Sequence, residues 1–181
     1  TSYCANYFSQ ETIGPAEARE YRRRAVLRYT IGTSRENDYP VRQFHGKTTE
    51  IDDDIGYGKC SMLFHALRRD IGEEPFWDTL RRVGRENRGK RFSWADWQRE
   101  FEKSSKRNLA AFFAQGLDRT GAPLFAVRET AVSADGGRLR VSGTLVQVLA
   151  EGEAPWRVTV PLAVEHLEGV EETLVDCADG E

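Results

Sequence analysis

Hydrophobic and polar positions along the chain follow two different periods, and the change between them divides the sequence near Gly121-Ala122-Pro123. Before that point apolar residues recur at three- and four-residue spacing. Tyr3, Tyr7 and Phe8 predict a helix over residues 1–11. Gly14-Pro15 interrupts it, and Pro15 suits the first turn of a second helix reaching about Ile31, where its missing N–H is not needed. Cys60, Leu63, Phe64, Leu67 and Ile71 form the i, i+3, i+4, i+7, i+11 stripe of a core-facing helix, with Gly72 placed to end it. Pro75 opens another helix, with Phe76, Leu80 and Val83 on one face. Ser93, followed three residues later by Asp96, predicts an N-cap with a capping-box variant ahead of Trp94, Trp97 and Phe101. Leu109, Phe112 and Phe113 carry a last helix that stops before Gly121. The polar stretch 32–54, with Pro40 and Gly46 and no sustained period, is expected to be a long loop.

After Gly121 the period becomes two. Trp156, Val158, Val160, Leu162 and Val164 alternate with Arg157, Thr159, Pro161, Ala163 and Glu165, the pattern of a half-buried strand. Pro161 marks that strand as an edge or a bulge. Leu139, Val141 and Leu145 share a second such face behind the turn signal Asp135-Gly136-Gly137. Phe125 and Val127 start an earlier strand, and Thr173 to Cys177 supplies a later one. The fold class this predicts is α+β: a helical part over residues 1–121, then a small antiparallel β-sandwich over 122–181.

Charge follows the same division. Gly121 to Glu181 holds 4 of the 26 basic and 11 of the 29 acidic residues, so the β part is acidic and the helical part carries a basic excess. The overall charge of −3 offers no global attraction for nucleic acid, and no apolar run of about 18 residues provides a membrane span. Three cysteines, Cys4, Cys60 and Cys177, are odd in number and far apart, which argues against a disulfide framework and against a metal knuckle.

A self-contained active site is not evident. The chain lacks His-Glu-x-x-His, Gly-x-Ser-x-Gly and a phosphate-cradling glycine loop. His45, His65 and His166 fall in a loop, a helix and a strand, without metal-ligand spacing. Cys60 and His65 lie five residues apart, about 140° around a helix, and cannot form a pair within it. Asp52-Asp53-Asp54 reads as a solvated loop run ahead of a helix, where negative charge favours the dipole. Arg22-Arg23-Arg24 reads as an exposed helix face. Tyr57 is the ambiguous residue. It lies in line with the apolar stripe, as a core tyrosine would. Yet Gly56 and Gly58 flank it, allowing close backbone approach, and a phenol at a helix start could donate a hydrogen bond to an oxyanion.

The stretch Tyr57-Gly58-Lys59, followed by a helix ending at Gly72 with Phe76 and Leu80 beyond, resembles a motif of the gluzincin zinc aminopeptidases, the family of membrane alanyl aminopeptidase and leukotriene hydrolase. The segment from Ser93 to Phe125 is similar to the same family's later pattern, with Asp96, Leu109, Phe112, Phe113, Gln115, Gly121 and Pro123 in matching positions. Cys60 stands where that family carries glycine, and Gly116 where it carries tryptophan. Thr1-Ser2-Tyr3 resembles the end of the segment that bears the family's glutamate zinc ligand. The resemblance covers about Thr1 to Leu124 and, more loosely, the β part.

That resemblance implies the C-terminal half of a thermolysin-like catalytic domain followed by a β domain, with truncation of the latter left open. It implies a peptide substrate, zinc as cofactor, and Tyr57 as the group that hydrogen-bonds the tetrahedral intermediate. The zinc ligands would lie upstream of Thr1, in a missing N-terminal part of the same protein, with no metal ligand in this chain. The chain alone is then expected to bind no zinc and cleave nothing. Substrate-binding residues and cellular compartment are not indicated. The alternatives are a catalytically inactive aminopeptidase-like scaffold, or an unrelated helical binding module in which Tyr57 is buried in the core.

Overall fold

The computed structural model describes residues 2–136, 138–167 and 169–177, with side chains throughout except at 2, 5, 6, 9–11 and 135; Thr1 and Gly137 lie outside the described residues. The chain is α+β and divides into two compact units, Thr1–Gly121 and Ala122–Glu181.

The first unit is helical. Helix α1 spans Ser2–Ile13 and α2 spans Pro15–Gly32. A short 3-10 turn at Val41–Gln43 follows. Next comes α3 (Glu50–Asp53), which runs through a π-helical segment, Asp54–Lys59, into α4 (Cys60–Ile71). Helices α5 (Glu73–Glu86), α6 (Trp94–Ser105) and α7 (Ala110–Asp118) complete the unit. Gly72, at φ 88°, separates α4 from α5 in a conformation that glycine adopts without strain.

The apolar stripes converge on an aromatic core. Phe76 of α5 and Phe101 of α6 are fully buried and stack with centroids 5.5 Å apart. Phe64 of α4 packs against both, and against Tyr3, Trp94 and Trp97. Burial of each large ring stabilises the unit by roughly 1.5–3 kcal/mol, and favourable ring pairs add about 0.5–1.5 kcal/mol. The capping box at α6 has the expected form: the Ser93 hydroxyl accepts from the Asp96 N–H, and the Asp96 carboxylate accepts from the Ser93 N–H. That exchange holds the Asp96 carboxyl down at about 2.

Two local features go beyond what residue spacing indicates. Arg68 does not leave the core side of α4. Its guanidinium lies 4.1 Å from the Tyr7 ring centre and 5.2 Å from that of Trp77, while its Nε donates to Glu73. The long stem and flat head let a charged residue cover aromatic surface. At Gly116, a Cβ would stand 2.3 Å from Leu63 Cδ1, so α7 and α4 approach closely there and any larger side chain would have to displace Leu63.

The larger correction concerns residues 50–59. The loop ends at Thr49, not at Asp54. Thr49 caps α3 in a second capping box with Asp52. Asp52 collects hydrogen bonds from the hydroxyl and N–H of Thr48, from the phenol of Tyr39 and from the N–H and hydroxyl of Thr49. These donors, Thr48 first, hold its carboxyl well below the usual carboxylate range. Asp53 and Asp54 pair with Arg28 of α2 at 3.0 and 2.9 Å, and Asp54 is buried. The acidic run is therefore helical and engaged rather than a solvated loop. A capping box needs no hydrophobic period, which is why periodicity placed the helix start too late.

The second unit holds two antiparallel hairpins. Strand β1 (Phe125–Asp135) pairs with β2 (Arg138–Gln147), with a register shift between Arg128 and Ala131 where Glu129 takes φ 53°. Strand β3 (Val158–His166) pairs with β4 (Gly169–Cys177). Pro161 faces Leu174 in a two-stranded sheet, where every strand is an edge and its missing N–H is tolerated. Val158, Val160 and Leu162 alternate with exposed neighbours as the pattern requires. Leu139 and Val141, in contrast, are exposed, and burial on β2 begins only at Leu145. Trp156 is buried at 5% exposure and is held by both ends of the Gln147 amide, which donates to its C=O at 2.7 Å and accepts from its N–H at 2.8 Å. Among the described residues no helix is long and apolar enough to cross a membrane.

Candidate functional site

Tyr57 sits in the π-helical segment, in the middle of a continuous run of helix from Glu50 to Ile71 rather than at a helix head. The widened turn is visible in the Cys60 N–H, which donates to the Ile55 C=O five residues back. One extra residue in a turn rotates the residues around it off the regular stripe, and such turns recur at functional sites. Ile55 is accordingly fully buried while Tyr57 is 40% exposed, so it is not a core tyrosine. A Tyr57 buried in the core, the other placement the sequence left open, does not fit this exposure.

The segment is held on both sides of Tyr57. On one side, the Phe44 ring lies on the Gly56 backbone, so close that a Cβ at Gly56 would stand 2.2 Å from it. The same ring meets Tyr57 edge to face, with centroids 5.3 Å apart at 73°. Gly56 is therefore the glycine that close approach demands. Gly58 is not, since its Cβ position meets only the Asp53 carbonyl at 3.9 Å.

On the other side, the Lys59 ammonium is buried in a polar node. It donates to the Tyr29 phenol at 3.0 Å and to the Arg119 C=O at 3.1 Å, and lies 3.9 Å from Asp38. The Tyr29 hydroxyl donates to Asp38 at 2.6 Å, and the Gly121 N–H donates to the same carboxylate oxygen. Burial pushes the Lys59 pKa down, opposed by the Asp38 charge. Burial first, and then its bond to Asp38, push the Tyr29 phenol well above its ordinary range. The node ties α2, the loop after it, the π segment and the end of α7 together.

The remaining candidates stay apart. Cys60 is a free thiol packed against the core, pushed up to about 11 by burial, which makes it a poor nucleophile. His45 is exposed. His65 is half-buried with no hydrogen-bond partner for Nδ1; burial, reinforced by the charges of Arg22 and Arg69, holds its pKa down at about 4. His166 lies near Glu171 at the end of the second hairpin. Arg23 and Arg24 both pair with Glu20 on the exposed face of α2.

Among the described residues no three His, Cys, Asp or Glu side chains gather as metal ligands. Sequence reasoning missed Phe44, Asp38 and Tyr29. Phe44 lies in an aperiodic loop, and the only signal pointing toward it was the glycine before Tyr57. No family model, curated protein or solved structure matches the chain.

Proposed function

We propose that this chain is the tyrosine-bearing part of a zinc aminopeptidase of the gluzincin type, which removes N-terminal residues from peptides. In this reading the Tyr57 phenol donates a hydrogen bond to the oxyanion that develops at the scissile carbonyl. A donor fixed in advance and aimed at developing charge lowers the barrier without reorganising during the reaction. The observation that carries the reading is the contrast at the π segment: Tyr57 is 40% exposed while Gly56 and Lys59 on either side are packed in place. The Tyr57-Gly58-Lys59 motif and its resemblance to that family supply the reaction class. Zinc, in this reading, belongs to residues preceding Thr1, and no described side chain of this chain is assigned to it. The second unit corresponds to the β-sandwich that follows the catalytic helices in that family.

The test uses the polypeptide extended upstream through its metal-binding helix, assayed on aminoacyl chromogenic substrates with zinc present. Tyr57→Phe is expected to lower the rate by roughly 10²–10³, or about 2.7–4 kcal/mol, with zinc content and folding unchanged. An active enzyme indifferent to the change would remove Tyr57 from the chemistry. An inactive wild type would favour the non-catalytic scaffold. The chain by itself is expected to bind no zinc at the proposed site and to show no peptidase activity. Stoichiometric zinc together with cleavage would overturn the placement of the ligands.

A further inference from the structure

We infer that Phe44 is a positioning residue for Tyr57, setting the direction of its phenol; this rests on the reading of Tyr57 as an oxyanion donor. Phe44 follows the 3-10 turn at Val41–Gln43, and its N–H donates to the Val41 C=O at 3.1 Å. That turn is itself anchored. Val41 is buried in the helical core, and the Arg42 guanidinium holds Asp118 at the end of α7 with both its Nε and, at 3.0 Å, its Nη2. Phe44 is thus delivered to the π segment from a fixed loop.

The ring occupies the space that a side chain at position 56 would need, and its contact with Tyr57 is edge to face. With the backbone pinned at Gly56 by Phe44 and at Lys59 by the buried node, the freedom left to Tyr57 is its own side-chain rotation. An exposed tyrosine on a helix otherwise samples more than one staggered rotamer, and a ring in T-shaped contact selects the one that keeps the contact. A donor held in one orientation is worth more to a transition state than one that must find it, since misplacement by about 1 Å can cost on the order of 10²-fold in rate. Gly56 is the residue that admits the ring.

The test has two parts. In this chain, with the tyrosine rings isotopically labelled, NMR of the wild type is expected to show Tyr57 ring resonances displaced by the Phe44 ring current. Phe44→Leu is expected to abolish the displacement and Phe44→Tyr to retain it. Gly56→Ala, which drives the ring away while leaving Phe44 in the sequence, is expected to act like Phe44→Leu and serves if the latter folds poorly. In the upstream-extended enzyme, Phe44→Leu is expected to lower kcat roughly 10- to 100-fold with KM little changed, and to lower it no further when combined with Tyr57→Phe. Unchanged Tyr57 resonances in Phe44→Leu and Gly56→Ala, or a full additional loss on top of Tyr57→Phe, would overturn the inference while leaving the oxyanion reading intact. Full activity in Tyr57→Phe would overturn that reading, and the positioning role with it.

Discussion

The helical unit and the β unit of this chain are stabilised by different means. Every buried hydrophobic side chain among the described residues except Trp156 belongs to the helical unit, where aromatic rings from five helices meet around Phe76 and Phe101. In the hairpins the backbone ladders are regular, yet Val132, Leu139, Val141, Val170 and Leu174 are exposed. Helices carry their own hydrogen bonds and bring side chains together at will. A two-stranded hairpin satisfies only half of its edges and covers neither face, so by itself it is marginal in water.

The sharpest way to break this contrast is substitution in each unit in turn. Phe76→Ala is expected to destabilise the helical unit by about 3–5 kcal/mol, whereas Val132→Ala on the exposed hairpin face should stay within about 0.5 kcal/mol. Urea denaturation followed by far-UV circular dichroism measures both, and comparable losses would show that the hairpins share in a core. Next in size is the buried node. Lys59→Met leaves the buried Asp38 carboxylate without its cation and should cost about 3 kcal/mol, measured the same way. A neutral outcome would mean that the node does not hold the π segment.

A smaller effect separates the units by pH. The folded pKa of His65, about 4, lies below the unfolded value near 6.5. Between those values the unfolded chain binds a proton that the folded chain refuses, so stability falls as pH drops from about 6.5 to about 4, by as much as about 2–3 kcal/mol. His65→Gln is expected to flatten the stability of the helical unit across that window. A slope that survives the substitution would assign it to other groups. Last, Gly116→Ala places a methyl against Leu63 and should cost about 1–2 kcal/mol, with a thermal melt as the readout. Indifference there would show that Leu63 can swing aside and that the α4–α7 contact is looser than the geometry indicates.

The helical stripes were legible because a helix repeats every three or four residues. Leu63, Phe64, Leu67, Phe76, Trp97, Phe101 and Phe113 announced their core roles by spacing alone, and Ser93 announced its cap by chemistry. The two periods likewise marked the change from helices to strands, and Pro161 marked an edge. Neither the start of the helix at Glu50 nor the π turn that rotates Tyr57 outward was legible. The first depends on reciprocal bonds at Thr49 and Asp52, the second on one residue more in a turn, and neither alters hydrophobic spacing.

By itself, then, the sequence determined where most of the helices and strands fall, which faces the long helices bury and which motif surrounds Tyr57. Those properties follow from interactions within about one helical turn or across adjacent positions of a strand. Only the tertiary structure decided that Tyr57 is exposed, that Phe44 lies on Gly56, and that Lys59 joins Asp38, Tyr29 and the Arg119 carbonyl. Each of these contacts joins residues that are distant along the chain, or depends on how one helix is rotated against its neighbours. Local spacing carries no record of either.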